Sequence, residues 1–168
     1  MLRKLLIANR GEIAVRIART VANMGGATVS IASREDARSL HTRVSDEIAQ
    51  LQGAGAAPYL DIEQIIEIAL RTGCDSIHPG FGFLSENAGF ATRCGAAGLT
   101  FVGPTPEQLQ VFGDKARARA VAQSCGVPVL PGADGPTTLA DARSFLASLG
   151  GGGSIMIKAS AGGGGQGG

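Results

Sequence analysis

The stretch Lys4–Ser33, KLLIANRGEIAVRIARTVANMGGATVSIAS, decides the fold. Lys4–Ala8 is a short apolar run, broken by Asn9-Arg10-Gly11-Glu12. Ile13, Ile17 and Val21 then recur every fourth residue beside Ala14, Ala18 and Ala22, the period of an amphipathic helix. Asn9 followed by Glu12 resembles a capping box, and Gly25-Gly26 stops the helix. Ala27–Ser33 reads as a second strand. Strand, helix, strand predicts parallel pairing through a right-handed crossover. A dinucleotide fingerprint would sit in the turn after the first strand. That turn carries one glycine, Gly11, where the fingerprint needs three. The expectation is a Rossmann-like sheet without a pyrophosphate site, with Arg10 and Glu12 putting charge at the strand's carboxyl end.

The pattern continues. Arg34–Arg43 reads as a polar connection and Asp46–Leu51 as a short strand. Asp61 caps the next helix, with Gln64 in its first turn and Ile62, Ile65, Ile66 and Ala69 on its buried face. Asp75–His78 is a strand, followed by the irregular loop PGFGFLSEN, Pro79–Asn87. α/β folds place ligands after such strands. His78 nevertheless reads as a structural histidine bonded to backbone, and Ser85 and Glu86 as caps for a helix that Gly98 closes. Leu99–Val102 is a further strand. Thr105-Pro106-Glu107-Gln108, Gly113-Asp114-Lys115 and Thr138 with Asp141 each open a helix.

The chain closes with Ile155–Gly168, IMIKASAGGGGQGG. It reads as a short strand, a lysine, and a glycine run whose N–H groups can wrap an anion as a nest. That suggests a flap over nucleotide phosphates. By itself the segment matches neither known glycine-rich phosphate signature, and a flexible tail has the same composition.

Composition narrows the class. Apolar residues at 44% and charged residues at 17% belong to a folded globular chain of 168 residues, long enough for a real core. A net charge of +1 without basic or acidic runs favours neither nucleic acid nor an anionic membrane. Cys74, Cys94 and Cys125 are odd in number and widely spaced, which argues against a disulfide framework or a zinc site and for a reducing cytoplasm. No apolar run has membrane-spanning length, and no secretory signal is recognisable.

Several motifs in order then carry a resemblance. KLLIANRGEIAVRIAR (Lys4–Arg19), IHPGFGFLSEN (Ile77–Asn87), FVGP (Phe101–Pro104), Gly113-Asp114-Lys115, GVPVLP (Gly126–Pro131) with Gly132, and IKASAGGGG (Ile157–Gly165) resemble the beginning of biotin carboxylase. The resemblance implies an α/β chain: a Rossmann-like, parallel-sheet pre-ATP-grasp domain over residues 1–112, then the first part of an ATP-grasp domain over 113–168. By position, Lys115 and Lys158 match the family's ATP-contacting lysines, and Gly162, Gly163, Gly164 and Gly165 its flap glycines. Taken alone, Lys115 is a solvated helix residue and Lys158 an exposed strand end; their joint match raises both. Two lysines converging on a triphosphate would stabilise the departing phosphate.

The implied reaction uses ATP, Mg²⁺ and bicarbonate to carboxylate biotin on a biotin carrier protein, from which a carboxyltransferase of an acyl-CoA or pyruvate carboxylase takes the group. In the family the residues that bind magnesium, bicarbonate and biotin follow this segment, so no catalytic residue is assigned, and the fragment alone is expected to be inactive. The first helix, with Arg19, is a candidate homodimer contact. Three departures stand out: Gln166-Gly167-Gly168 where Arg-Gly-Met is common, Gly150–Ser154 where a compact turn is usual, and the early end. The alternatives are a non-enzymatic module that dimerises or binds nucleotide weakly, and another ATP-grasp ligase, against which HPGFGFLSEN argues.

Overall fold

The computed structural model describes residues 3–132, 135 and 137–157. The chain divides into two compact units, Met1–Pro106 and Glu107–Gly168. This division falls ahead of the domain boundary expected between Phe112 and Gly113.

The first unit is built on β1 (Lys4–Ile7), β2 (Ala27–Ala32), β3 (Glu47–Gln50), β4 (Ser76–His78) and β5 (Thr100–Phe101). They form one parallel sheet in the order β3-β2-β1-β4-β5. β1 lies at the centre and pairs on both sides. Leu5 pairs with Thr28 and Ser76, and Ile7 with Ser30 and His78. Successive side chains point to opposite faces, so the two halves of β1 feed two cores. Leu6 joins Val29, Ile31 and Ile77 on the face covered by α3 (Ile62–Arg71) and α4 (Ala88–Ala96). Leu5 and Ile7 meet Ala14, Ile17, Ala18 and Val21 of α1 (Gly11–Asn23) on the other. A strand buried on both faces reads as an unbroken apolar run, as Leu5–Ala8 does.

Local chemistry departs from the expected caps at two helix starts. Arg10 occupies the cap position of α1 and makes no side-chain cap bond, since a guanidinium has no acceptor, and the Asn9 amide is engaged elsewhere. The first turn of α4 is capped by Asn87, which accepts from the Phe90 N–H at 2.9 Å, and not by Ser85 or Glu86. Asp61 does cap α3 through the Gln64 N–H, at 3.1 Å. Ile68 joins Ile65, Ile66 and Ala69 on the buried face, while Ile62 is only partly covered. The supposed polar connection holds a short helix, α2 (His41–Val44), with His41 and Thr42 buried against β2. β2 turns Thr28 and Ser30 to that side, where the Asp46 carboxylate accepts from Thr28 and Ser45 bonds Ser30.

The second unit contributes α5 (Pro106–Gly113), which begins at the division between the units, then α6 (Lys115–Ser124) and α7 (Leu139–Ser148). Asp114 caps α6 by accepting from the Ala116 and Arg117 N–H groups at 2.9 and 3.1 Å. Thr138 and Asp141 form the expected capping box on α7. Ile155–Ile157 is not a strand: a strand needs a ladder partner, and among the described residues these three have none.

Candidate functional site

The strand order reverses between β1 and β4, the point where open α/β sheets hold ligands at their carboxyl ends. In this chain a side chain from the end of β1 bridges that crevice. Asn9 leaves β1 and donates through Nδ2 to the carbonyls of Pro79 and Phe81, at 2.7 and 2.9 Å, while its Oδ1 accepts from the Arg10 N–H. Gly80 lies directly against it: a Cβ there would sit 2.5 Å from Asn9 Nδ2, and φ is +69°. Only glycine allows both. His78 stands beneath the turn, its Nδ1 accepting from the Gly80 N–H at 3.0 Å, as a structural histidine should. That bond leaves the ring proton on Nε2, and burial lowers the histidine's pKa.

Arg10 heads a second cluster on the same edge. Its guanidinium pairs with Asp36 at 3.0 Å and lies over the rings of Tyr59 and Phe83, at 5.5 and 5.6 Å. The two rings stack at 5.1 Å. The Tyr59 hydroxyl donates to Asp36 at 2.8 Å and accepts from the Ser33 N–H at 3.1 Å. Burial pulls the Asp36 pKa upward, but hydrogen bonds from Arg10 and Tyr59 and the Arg10 charge outweigh it, so the carboxyl stays below its ordinary value. Burial, with Asp36 alongside, pushes Tyr59 up to about 12. His41 lies nearby, fully buried, its Nε2 donating to the Ile31 carbonyl at 3.2 Å; Nδ1 has no partner among the described residues. Burial lowers its pKa against the pull of that carbonyl and of Asp36.

Two grooves flank α1. One, of about 650 Å³, is lined by Glu12, Arg16, Arg19, Asn23, Ser39 and Leu40 among others. The other, of about 490 Å³, is more apolar and runs from Leu5, Ile13 and Ile17 to Met24, His78 and Val102.

Of the residues expected to meet a nucleotide, Lys115 is the first residue of α6 and is exposed. Lys158, Gly162, Gly163, Gly164 and Gly165 lie outside the described residues. Sequence reasoning missed the Asp36–Tyr59–Ser33 bonds and the Asn9 clamp. Tyr59 is the chain's single tyrosine and Asn9 adjoins the first strand, but neither fact names a partner. Among the described residues, no group of three His, Cys, Asp or Glu side chains is placed to hold a metal ion, and no helix is long and apolar enough to cross a membrane.

Comparison with known proteins gives a consistent picture. The family described as the biotin carboxylase N-terminal domain matches residues 1–109. The pyruvate carboxylase of Bacillus subtilis is 50% identical over 99% of this chain, which spans 14% of that protein. The biotin carboxylase of Halalkalibacterium halodurans is 49% identical over 99% of this chain, which spans 37% of it. Among solved structures, the biotin carboxylase domain dimer of Hydrogenobacter thermophilus 2-oxoglutarate carboxylase, in complex with MgADP, ADP and bicarbonate, superposes with a TM-score of 0.86. Its identity is 38%, over 89% of this chain and 33% of that one.

Proposed function

Because the chain belongs to the biotin carboxylase N-terminal domain family, we propose that it is the N-terminal portion of an ATP-dependent biotin carboxylase. The observation that carries this reading is the match to the Halalkalibacterium halodurans biotin carboxylase across 99% of the chain, through both units and not the sheet alone. The turn after β1 agrees with it: it carries one glycine, Gly11, where a dinucleotide fold needs three, and its Asn9 amide is spent on the Pro79 and Phe81 carbonyls.

In this reading residues 1–112 are the pre-ATP-grasp domain and 113–168 begin the ATP-grasp domain. Lys115, Lys158, Gly162, Gly163, Gly164 and Gly165 contact the ATP phosphates. The chemistry of Lys115 fits: it is an exposed cation on the first turn of α6, where helix geometry also favours an anion. Asp114 keeps that turn in place by taking the Ala116 and Arg117 N–H groups. The lysines would offset phosphate charge and orient the leaving group. ATP, Mg²⁺ and bicarbonate serve the carboxylation of carrier-bound biotin, with the metal, bicarbonate and biotin ligands in the parts of longer relatives that this chain does not span. The carboxyltransferase partner acts on an acyl-CoA or on pyruvate, and the compartment is the cytoplasm. The groove along α1, with Arg16 and Arg19, is the proposed homodimer contact; the Hydrogenobacter relative, itself a dimer, supports it.

The test is bicarbonate-dependent ATP cleavage stimulated by biotin, measured on the complete polypeptide that contains this chain and on residues 1–168 alone. Activity is expected in the first and not in the second. A complete polypeptide that cleaves ATP without regard to bicarbonate or biotin would overturn the reading. Turnover by residues 1–168 alone would overturn the division of the site.

A further inference from the structure

We propose that Asn9 and Arg10 are positioning residues, which together hold the Pro79–Phe83 loop in the shape it presents to ligand at the carboxyl edge of the sheet. The inference rests on the biotin carboxylase reading, since only a reaction gives the loop's shape a consequence. Ligands of open α/β sheets bind outside the strand ends at the switch point. Asn9 is buried against this loop, and Phe81 of the loop is exposed there.

The loop is pinned at two places by neighbouring residues. Asn9 spends both Nδ2 hydrogens on it, at the carbonyls of Pro79 and Phe81. Arg10 lies over Phe83 and Tyr59 and is steadied by Asp36. Phe83 has φ of +44°, alone in the left-handed region among described non-glycine residues. An L residue leaves that region unless its surroundings hold it, and here the surroundings are the Tyr59 ring and the Arg10 guanidinium. Between the pins Phe81 is 77% exposed although its carbonyl is fixed, so its ring stands outward on an anchored backbone. Asn9 itself is 3% exposed and acts only through the loop.

The experiment uses Asn9→Asp and Arg10→Lys. Asn9→Asp turns a carboxylate onto two carbonyl oxygens. Arg10→Lys keeps the charge toward Asp36 and loses the planar stacking surface, and it serves if Asn9→Asp fails to fold. In residues 1–168, amide exchange is read at Gly80 and Ser85, whose N–H groups bond His78 Nδ1 and the Gly82 carbonyl at 3.0 and 2.9 Å. Exchange at both should quicken by about tenfold or more while the β2 amides hold, since local opening is separable from global unfolding. In the complete polypeptide, the KM for at least one of ATP, bicarbonate and free biotin should rise about tenfold with kcat changed by less than about twofold. Unchanged loop exchange in both variants, or a loosened loop with all three KM values unchanged, would overturn the proposal. If the unsubstituted polypeptide has no such activity, the function reading falls, and the exchange measurement still decides whether Asn9 and Arg10 set the loop.

Discussion

The hydroxyl of Tyr59 donates to Asp36 at 2.8 Å and accepts from the backbone N–H of Ser33 at 3.1 Å. One phenol thus joins the end of β2, the connection after it and the aromatic pair under Arg10. Tyr59→Phe keeps the ring stack and removes both bonds. The Ser33 N–H is buried and would be left without a partner, so a loss of about 1–3 kcal/mol is expected in urea unfolding. Asp36 would lose a donor and its pKa should rise toward 3.8, followed by NMR titration.

His41 gives stability a dependence on pH. Its folded pKa lies below the ordinary 6.5 because the ring is buried and must stay neutral. The unfolded chain therefore takes up this proton first, and stability falls as pH drops below 6.5 until the folded pKa is reached. His78 titrates in the same direction and adds to the slope. His41→Gln should flatten part of this limb, seen as a smaller loss of urea midpoint between about pH 7.5 and about pH 5.5. An unaltered slope would exclude His41 as a source.

Gly80 and Gly98 separate close approach from backbone conformation. Both have positive φ, +69° and +75°, but a Cβ meets Asn9 Nδ2 at 2.5 Å at Gly80 and nothing within 4 Å at Gly98. Gly98→Ala should cost about 1 kcal/mol from the left-handed backbone alone. Gly80→Ala should cost clearly more, about 2–3 kcal/mol, because the Asn9 clamp must also move. Equal losses in thermal unfolding would mean the clamp is not tight.

Lys115 is the described residue on which the nucleotide assignment can be tested. In the complete polypeptide Lys115→Ala should weaken ATP binding by about tenfold or more, the loss of one charge-assisted bond. Calorimetry or nucleotide competition reads it. The Asp114 cap stays intact in this variant, so helix unfolding should not confuse the result.

The sheet, its parallel pairing and most helix limits were legible because they follow from local periodicity. The apolar run at Leu5–Ala8 and the four-residue recurrence of Ile13, Ile17 and Val21 leave one economical arrangement. The Asp61 and Thr138 caps were readable for the same reason, their partners lying within one turn. Asn9 departs from the capping box that its spacing to Glu12 predicts: its donor groups go to Pro79 and Phe81, distant in sequence. His41 looked like part of a solvated connection and became a buried ring on β2. Ile155–Ile157 had the composition of a strand, but a strand also requires a partner.

From its order of motifs alone, the sequence determined the family and the parallel α/β plan, since both are written in short windows of residue type and spacing. Tertiary structure decided that Asn9 bridges the switch point to the loop after β4, that Arg10 is held between Asp36 and two rings, and that Phe83 is kept in a left-handed backbone. The physical reason is range. Periodicity and capping act within a turn or two, whereas a buried amide or guanidinium takes whichever partner the folded sheet brings to it, and that choice exists only once β1 and β4 lie side by side.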